Sequence, residues 1–208
     1  MLLLHIFYNF EMYMEFDFSA YKPKNNIKPK RGRLLISEPL SQDLFFNRSV
    51  VLLTEYNDNG AFGFILNKLS KYNLSELIDD KLIFNPKINY GGPVGTETIH
   101  FLHTMGDIIE DSIQVTDKLF WGGNFDIIKD MSKIGALNDN DIRFFIGYSG
   151  WAPKQLDEEL EKNYWLISES NNNIIFNTRT KQDWEKVITQ IDDRYKIWTN
   201  VPENPSLN

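Results

Sequence analysis

The chain has 208 residues, 42% apolar and 25% charged, enough for one sizeable core and too few for two ordinary full-size domains. Its formal net charge of -7 argues against non-specific binding to nucleic acid or an anionic membrane, while a local basic patch stays open. With no cysteine, disulfide scaffolds, thiolate zinc sites, iron–sulfur clusters and cysteine nucleophiles are all excluded.

The opening MLLLHIF is apolar, but it has no basic flank or small-residue cleavage site, and Glu11, Glu15 and Asp17 follow. Neither a signal peptide nor a membrane span is expected, so the expected location is cytoplasmic, with translation starting at Met1 or Met14. The segment YKPKNNIKPKRGR, 21–33, holds Pro23, Pro29 and five cations from Lys24 to Arg33 without an apolar period. It reads as part of a flexible, extended arm over residues 1–32, either a solvated leader or a nucleic-acid arm. A single compact domain is expected over 33–199 and a loose tail over 200–208.

RLLIS is the first strand. SVVLLTEY and AFGFILNK flank NDNG, and Asn59-Gly60 supplies residues that tolerate positive φ, so these runs form a hairpin. Their apolar runs are nearly continuous, as in strands covered on both faces. NLSELIDD predicts a short helix with Asn73 as N-cap and Glu76 in the capping-box position. INYGGPVG reads as strand, tight turn and strand leading into HFLHT, and DSIQVTDKLFWGG as short strands. NFDIIKDMSKIG predicts a helix with Ile127, Ile128, Met131 and Ile134 on one face, stopped by Gly135. DIRFFIGY is a strand, and APKQLDEEL a helix with Pro153 in its first turn. YWLIS and NIIFN read as strands around the turn ESNNN. TKQDWEKVITQI closes the pattern as a helix with Thr180 as N-cap, Asp183 answering it, and Trp184, Val187, Ile188 and Ile191 on one face. Hairpins mixed with singly spaced helices argue for an α+β fold.

Gly147, Tyr148 and Ser149 fit the first three positions of the hydrolase elbow G-x-S-x-G, but Trp151 occupies its final glycine. That fold also places its histidine after the serine, whereas His5, His100 and His103 all precede Ser149, so it is excluded. A triad of His103, one of Asp107, Asp111 or Asp117, and Ser149 stays formally open. On a strand, His100 and His103 would face opposite ways, a poor metal pair, and a partly buried histidine bonded to backbone is the plainer expectation. The turn YGGPVG satisfies no nucleotide motif; its exposed N–H groups could bind an anion with Arg48 nearby. Gln155 and Glu159 are four apart, so they share a helix face beside Trp151. An aromatic wall with a few polar groups suits a small-ligand or peptide site, and a core tryptophan with a solvated glutamate is the equal alternative.

Taken together, FFNRSVVLLTEYNDNGAFGFILNK, YGGPV, FLHT, IGYSGWAPKQLDEEL and WLI resemble the YqgE/AlgH family of bacterial proteins, from about Gly32 to Trp184. The joint motifs are Arg48-Ser49-Val50, Asn59-Gly60, Asn67-Lys68, Gly91-Gly92-Pro93, His103-Thr104 and Gly147-Tyr148 with Trp151, Gln155 and Leu156. The resemblance implies an α+β fold whose bifurcated mixed sheet curls into a pseudo-barrel with flanking helices. Members are often labelled transcriptional regulators, and the resemblance carries over no catalytic residue, metal or cofactor. Relatives can have alanine at the position of Ser149, and shorter ones lack the arm before Gly32.

The leading expectation is a non-catalytic cytoplasmic binding or regulatory protein that takes a small ligand or a protein partner. Its expected site gathers Arg48, Asn67, Gly91, Gly92, Pro93, His103, Tyr148, Trp151, Gln155 and Glu159. Direct DNA binding is a second reading, opposed by the acidic charge and the lack of a basic recognition helix. A serine hydrolase using Ser149 and His103 is a third.

Overall fold

The computed structural model describes residues 22–39, 41, 43–78 and 80–201. The expected first 21 residues of the arm and residues 202–208 of the tail lie outside them.

Strands β1 (Leu34–Ser37), β2 (Val50–Asn57) and β3 (Gly60–Ile65) pair antiparallel in sequence order. In the β2–β3 turn only Gly60 takes a positive φ, at 123°, while Asn59 donates its amide to Asn57 Oδ1 at 2.8 Å. Leu34, Ile36, Leu52 and Phe64 enter one core and Leu35, Val51, Leu53 and Ile65 another, which is why the apolar runs are continuous.

Next come β4 (Leu69–Asn73), α1 (Leu74–Ile78) and β5 (Lys87–Tyr90), with β4 and β5 antiparallel. Half of the expected capping box forms, Asn73 N–H donating to Glu76 Oε2 at 2.6 Å. Asn73 itself ends β4, and the side-chain acceptor for the Ser75 amide is Asn85 Oδ1, at 2.9 Å. After β6 (Val94–His103), β7 (Ile113–Thr116) and β8 (Leu119–Trp121), Asn124 caps α2 (Phe125–Lys133). Ile127, Ile128 and Met131 pack into a third core. Ile134 does not join them: it is the C-cap, 76% exposed, and Gly135 at φ 68° ends the helix.

The sheet divides at β9 (Ile142–Trp151). Phe145 and Ile146 pair in parallel with β5 on one side and antiparallel with β6 on the other, while Ser149, Gly150 and Trp151 pair with β3. The exchange of neighbours falls at Gly147, whose φ of 63° suits glycine and where a Cβ would lie 2.6 Å from the Val94 carbonyl. Opposite it the β6 register shifts between Val94 and Ile99. The segment from Gly147 is therefore still strand, and the expected passage into a helix comes later: α3 (Gln155–Glu161) follows Lys154, itself at φ 66°.

β10 (Trp165–Ser168) pairs with β1, so the path runs β10-β1-β2-β3-β9-β6-β8-β7, with β5 and β4 branching from β9. The fold is α+β, a large and mainly antiparallel sheet with flanking helices; among the described residues its path does not close on itself. NIIFN is a helix, not the expected strand: α4 (Asn172–Asn177) is capped by Asn171, whose side chain accepts from Ile174 N–H at 2.9 Å. Ile174, Ile175 and Phe176 are all buried, and a short apolar run suits a buried helical turn as well as a buried strand. In α5 (Asp183–Ile191) the N-cap position falls on Gln182, without a side-chain cap bond, rather than on the expected Thr180; the Asp183 carboxylate reaches back to accept from the amides of Thr180 and Arg179 and from the Thr180 hydroxyl. Trp184 of α5 stacks on Trp198 of the 3-10 helix Asp193–Asn200.

Residues 22–33 form no helix or strand. Asn25 bonds the outer edge of β10 with both ends of its amide, donating to Trp165 O at 2.9 Å and accepting from Ile167 N–H at 2.7 Å, which shields that edge from further pairing. Among the described residues no helix is long and apolar enough to cross a membrane.

Candidate functional site

Trp151 ends β9, and Gln155 and Glu159 stand one helical turn apart on α3. The three converge: Trp151 Nε1–H donates to Glu159 Oε2 at 2.8 Å and Gln155 Nε2 to Glu159 Oε1 at 3.0 Å. Gln155 in turn accepts from the Ala152 amide at 3.0 Å, so it is held at both ends. Trp165 of β10 donates its indole N–H to Glu159 Oε2 as well, at 2.7 Å. Phe46 completes the wall, stacked on Trp151 with centroids 6.0 Å apart and edge-on to Trp165 at 5.5 Å.

These groups line a cavity of about 420 Å³, together with Ser37, Glu38, Ser41, Asp43, Gly150 and Tyr164. Among the described residues its walls carry the carboxylates of Glu38, Asp43 and Glu159 and no lysine or arginine. Burial raises the Glu38 carboxyl above its ordinary value, with Lys22 pulling the other way. Aromatic faces beside carboxylates in a partly desolvated cleft favour a cation.

A second cavity, of about 560 Å³, is lined by Leu44, Asn47, Asn67, Lys68, Leu69, Tyr90, Thr180 and Lys181. The turn at 44–48 contributes to both: Phe46 to the first, Leu44 and Asn47 to the second. Asn67 pins this turn to β2, donating to Arg48 O at 2.7 Å and accepting from Val50 N–H at 2.8 Å. The Arg48 side chain is directed inward, donating to Glu185 at 3.0 Å and to the Val201 carbonyl, with its guanidinium 5.2 Å from the Trp184 ring centre.

The remaining expected site residues lie elsewhere. Gly91 donates to Ile146 O at 2.8 Å, so its amide is already occupied rather than offered to an anion. Gly92 lies against the Tyr148 backbone, and Pro93 is exposed. Tyr148 stacks on Phe62 at 4.3 Å, and Phe62 on Trp121 at 4.8 Å. His103 is fully buried and stacked on Phe120 at 5.8 Å, whereas His100 lies among Phe62, Phe64, Trp121 and Tyr148.

The hydrolase arrangement is not assembled. An amide can only donate, so the 3.2 Å contact from Met105 N–H makes His103 Nδ1 the bare nitrogen. The ring proton is then on Nε2, which donates to Gly122 O at 2.9 Å. Burial lowers the His103 pKa, with the Gly122 bond opposing it. Ser112 Oγ is 3.1 Å from Nε2, but it donates to Ile109 O at 2.6 Å. Ser149 is buried and donates to Gly91 O at 3.0 Å, with the bonding capacity of His103 spent on other partners.

Sequence reasoning missed Trp165, Phe46 and Glu38 in the first cavity and Lys68 and Lys181 in the second. The signal was thin: Trp165 lies six residues beyond Glu159 across a turn, and Lys68 stood in view only as the neighbour of Asn67.

The profile of a family described as AlgH-like matches residues 34–196. A UPF0301 protein of Cytophaga hutchinsonii is 40% identical over 179 residues, covering 86% of this chain and 98% of the relative. A UPF0301 protein of Bacteroides thetaiotaomicron is 39% identical over 197 residues, covering 94% and 100%. The solution structure of the AlgH protein from Pseudomonas aeruginosa superimposes with a TM-score of 0.64 at 26% identity, over 80% of this chain and 92% of that one. A crystal structure of a Corynebacterium diphtheriae protein gives 0.70 over 84% and 93%, and at 20% identity it speaks for the fold alone.

Proposed function

This chain belongs to the AlgH-like family, and we propose that it is a cytoplasmic, non-catalytic binding protein whose ligand presents an ammonium or guanidinium group to the cavity at Trp151 and Glu159. One observation carries the reading: two indole N–H groups hold one carboxylate of a cavity whose described lining also has two more acids and four aromatic side chains, Phe46, Trp151, Tyr164 and Trp165, with no lysine or arginine. A core-packing role would account for the indoles, and Asp43 also holds the turn by accepting from the amides of Phe45 at 2.7 Å and Phe46 at 3.2 Å, but neither accounts for Glu38 at the same opening. An ammonium ion over an indole face gains about 0.5–2 kcal/mol, more when partly desolvated, and the acids add attraction that salt screens.

The test is calorimetric titration at fixed ionic strength with tetramethylammonium, agmatine and a neutral isostere of each. Saturable binding of the cations alone, weakened by Glu38→Gln and Asp43→Asn, supports the reading. Equal behaviour of cations and isosteres, or binding indifferent to both substitutions, sinks it. Direct DNA binding has less support, because Arg31 and Arg33 of the basic segment are spent on Gln114 O and Glu169.

A further inference from the structure

We propose that the second cavity is a covalent site for small hydroxyaldehydes, in which the Lys68 amine forms an imine with the carbonyl carbon and Asn47 accepts a hydrogen bond from a ligand hydroxyl. Both residues line that cavity, and its volume of about 560 Å³ admits a small ligand beside them. Neither lines the first cavity, so the two sites stand or fall separately.

The backbone around Lys68 is fixed. Its carbonyl accepts from Tyr90 N–H at 2.7 Å, which joins it to β5, and the preceding Asn67 is bonded to Arg48 O and Val50 N–H. The side chain is half-buried, and its Nζ donates to the Phe45 carbonyl and lies 5.0 Å from the Phe45 ring centre. A carbonyl dipole and a ring face compensate a charge less than a carboxylate would, and burial removes part of its hydration, so the neutral, nucleophilic amine gains ground. With one N–H on Phe45, that amine is aimed and keeps its lone pair for reaction. Asn47 supplies the second group: its Nδ2 donates to Ser41 O at 3.2 Å, while Oδ1 is buried at the cavity wall with no hydrogen-bond partner. A buried acceptor without a donor is costly, and a ligand hydroxyl provides the donor.

The step is a condensation. The Lys68 lone pair attacks the aldehyde carbon, the carbonyl π pair moves to oxygen, and transfer of one amine proton to that oxygen gives a carbinolamine. The hydroxyl then takes up a proton and leaves as water while the nitrogen lone pair forms the C=N bond. The product is a protonated imine, whose remaining N–H returns to the Phe45 carbonyl, and nothing is oxidised or reduced. Titration behaviour agrees with this geometry: burial, and after it Lys181, lower the Lys68 pKa to about 8, with Asp43 opposing them. A lysine desolvated in this way is the type that forms imines near neutral pH.

The full-length protein is treated with substoichiometric glyceraldehyde or propanal and with cyanoborohydride, which reduces the imine to a stable secondary amine, and the adducts are located by peptide mass mapping. Lys71, exposed on β4, is the reference within the same molecule. At pH ~7 we expect Lys68 to be labelled about tenfold or more faster than Lys71, its rate levelling off above the pKa of about 8. Measured against Lys71, glyceraldehyde should be favoured over propanal at Lys68, and Asn47→Ala should erase that preference while Lys68 still reacts with propanal. Labelling of Lys68 no faster than Lys71, or the same selectivity in urea-unfolded protein, overturns the amine site. Equal treatment of the two aldehydes at Lys68 in the parent overturns the assignment to hydroxyaldehydes.

Discussion

Trp165 donates its indole N–H to Oε2 of Glu159 at 2.7 Å, and this bond ties β10 to α3. Trp151 uses the same oxygen, and both indoles are at least 95% buried, so neither can turn to water if the carboxylate is lost. Unpaired buried donors cost about 1–3 kcal/mol each before relaxation, and Glu159→Ala should therefore lower stability by about 2 kcal/mol in urea titrations. Glu159→Gln should cost less, since its amide oxygen still accepts. Adding Trp165→Phe to Glu159→Ala should cost less than the separate effects predict, because the donor is then gone. A Glu159→Ala loss within about 0.5 kcal/mol of zero would show that the shared oxygen contributes nothing.

Gly92 is intolerant for a different reason. A Cβ there would stand 2.0 Å from both the carbonyl carbon and the oxygen of Tyr148 and 2.3 Å from the Ser149 nitrogen, all backbone of β9. No rotamer change relieves such a clash, and the β5–β6 connection would have to lift from the strand at which the sheet branches. Gly92→Ala should cost about 3 kcal/mol. Gly122 serves as the control, because its φ of 68° is strained for alanine but a Cβ there meets nothing within 4 Å. Gly122→Ala should cost about 1 kcal/mol, the conformational part alone. Equal losses in thermal unfolding would mean that backbone conformation, not close approach, explains Gly92.

Local chemistry was legible where one residue type does one job. The β2–β3 hairpin follows from Asn59-Gly60, the α2 stop from Gly135, and α5 from Asp183 with Trp184, Val187 and Ile188. The α+β class followed from the same signals. NIIFN was ambiguous because burial on all sides erases the period that separates strand from helix. Gly147 looked like the end of a strand, whereas its positive φ serves a change of strand neighbours that only the three-dimensional pairing reveals. Of the candidate site, Trp151, Gln155 and Glu159 could be grouped because helical spacing is local. The contributions of Trp165 and Phe46, and the meeting of Lys68 with Lys181, come from elements distant in sequence. No periodicity encodes such meetings, and Asn67 and His103 show the converse, polar residues whose bonds serve the backbone.

Asp183 links the turn that leads into α5 to pH. Burial raises its carboxyl pKa, but Lys186 and the bonds from Thr180 and Arg179 outweigh that and bring it down to about 2. The unfolded value is near ~3.9, so the folded state binds this proton less tightly than the unfolded state does. The resulting stability is fully present above about pH 4 and is lost as pH falls towards 2, a loss on the order of 2 kcal/mol. Half-buried His100 and buried His103 act earlier: their pKa values are lowered by burial, so the unfolded chain gains protons first and stability already declines below about pH 6.5. Urea midpoints measured across pH should thus fall in two stages. Asp183→Asn should reduce stability at neutral pH and flatten the second stage while leaving the first in place. If the parent and Asp183→Asn curves ran parallel between about pH 4 and 2, Asp183 would not be the group that titrates there.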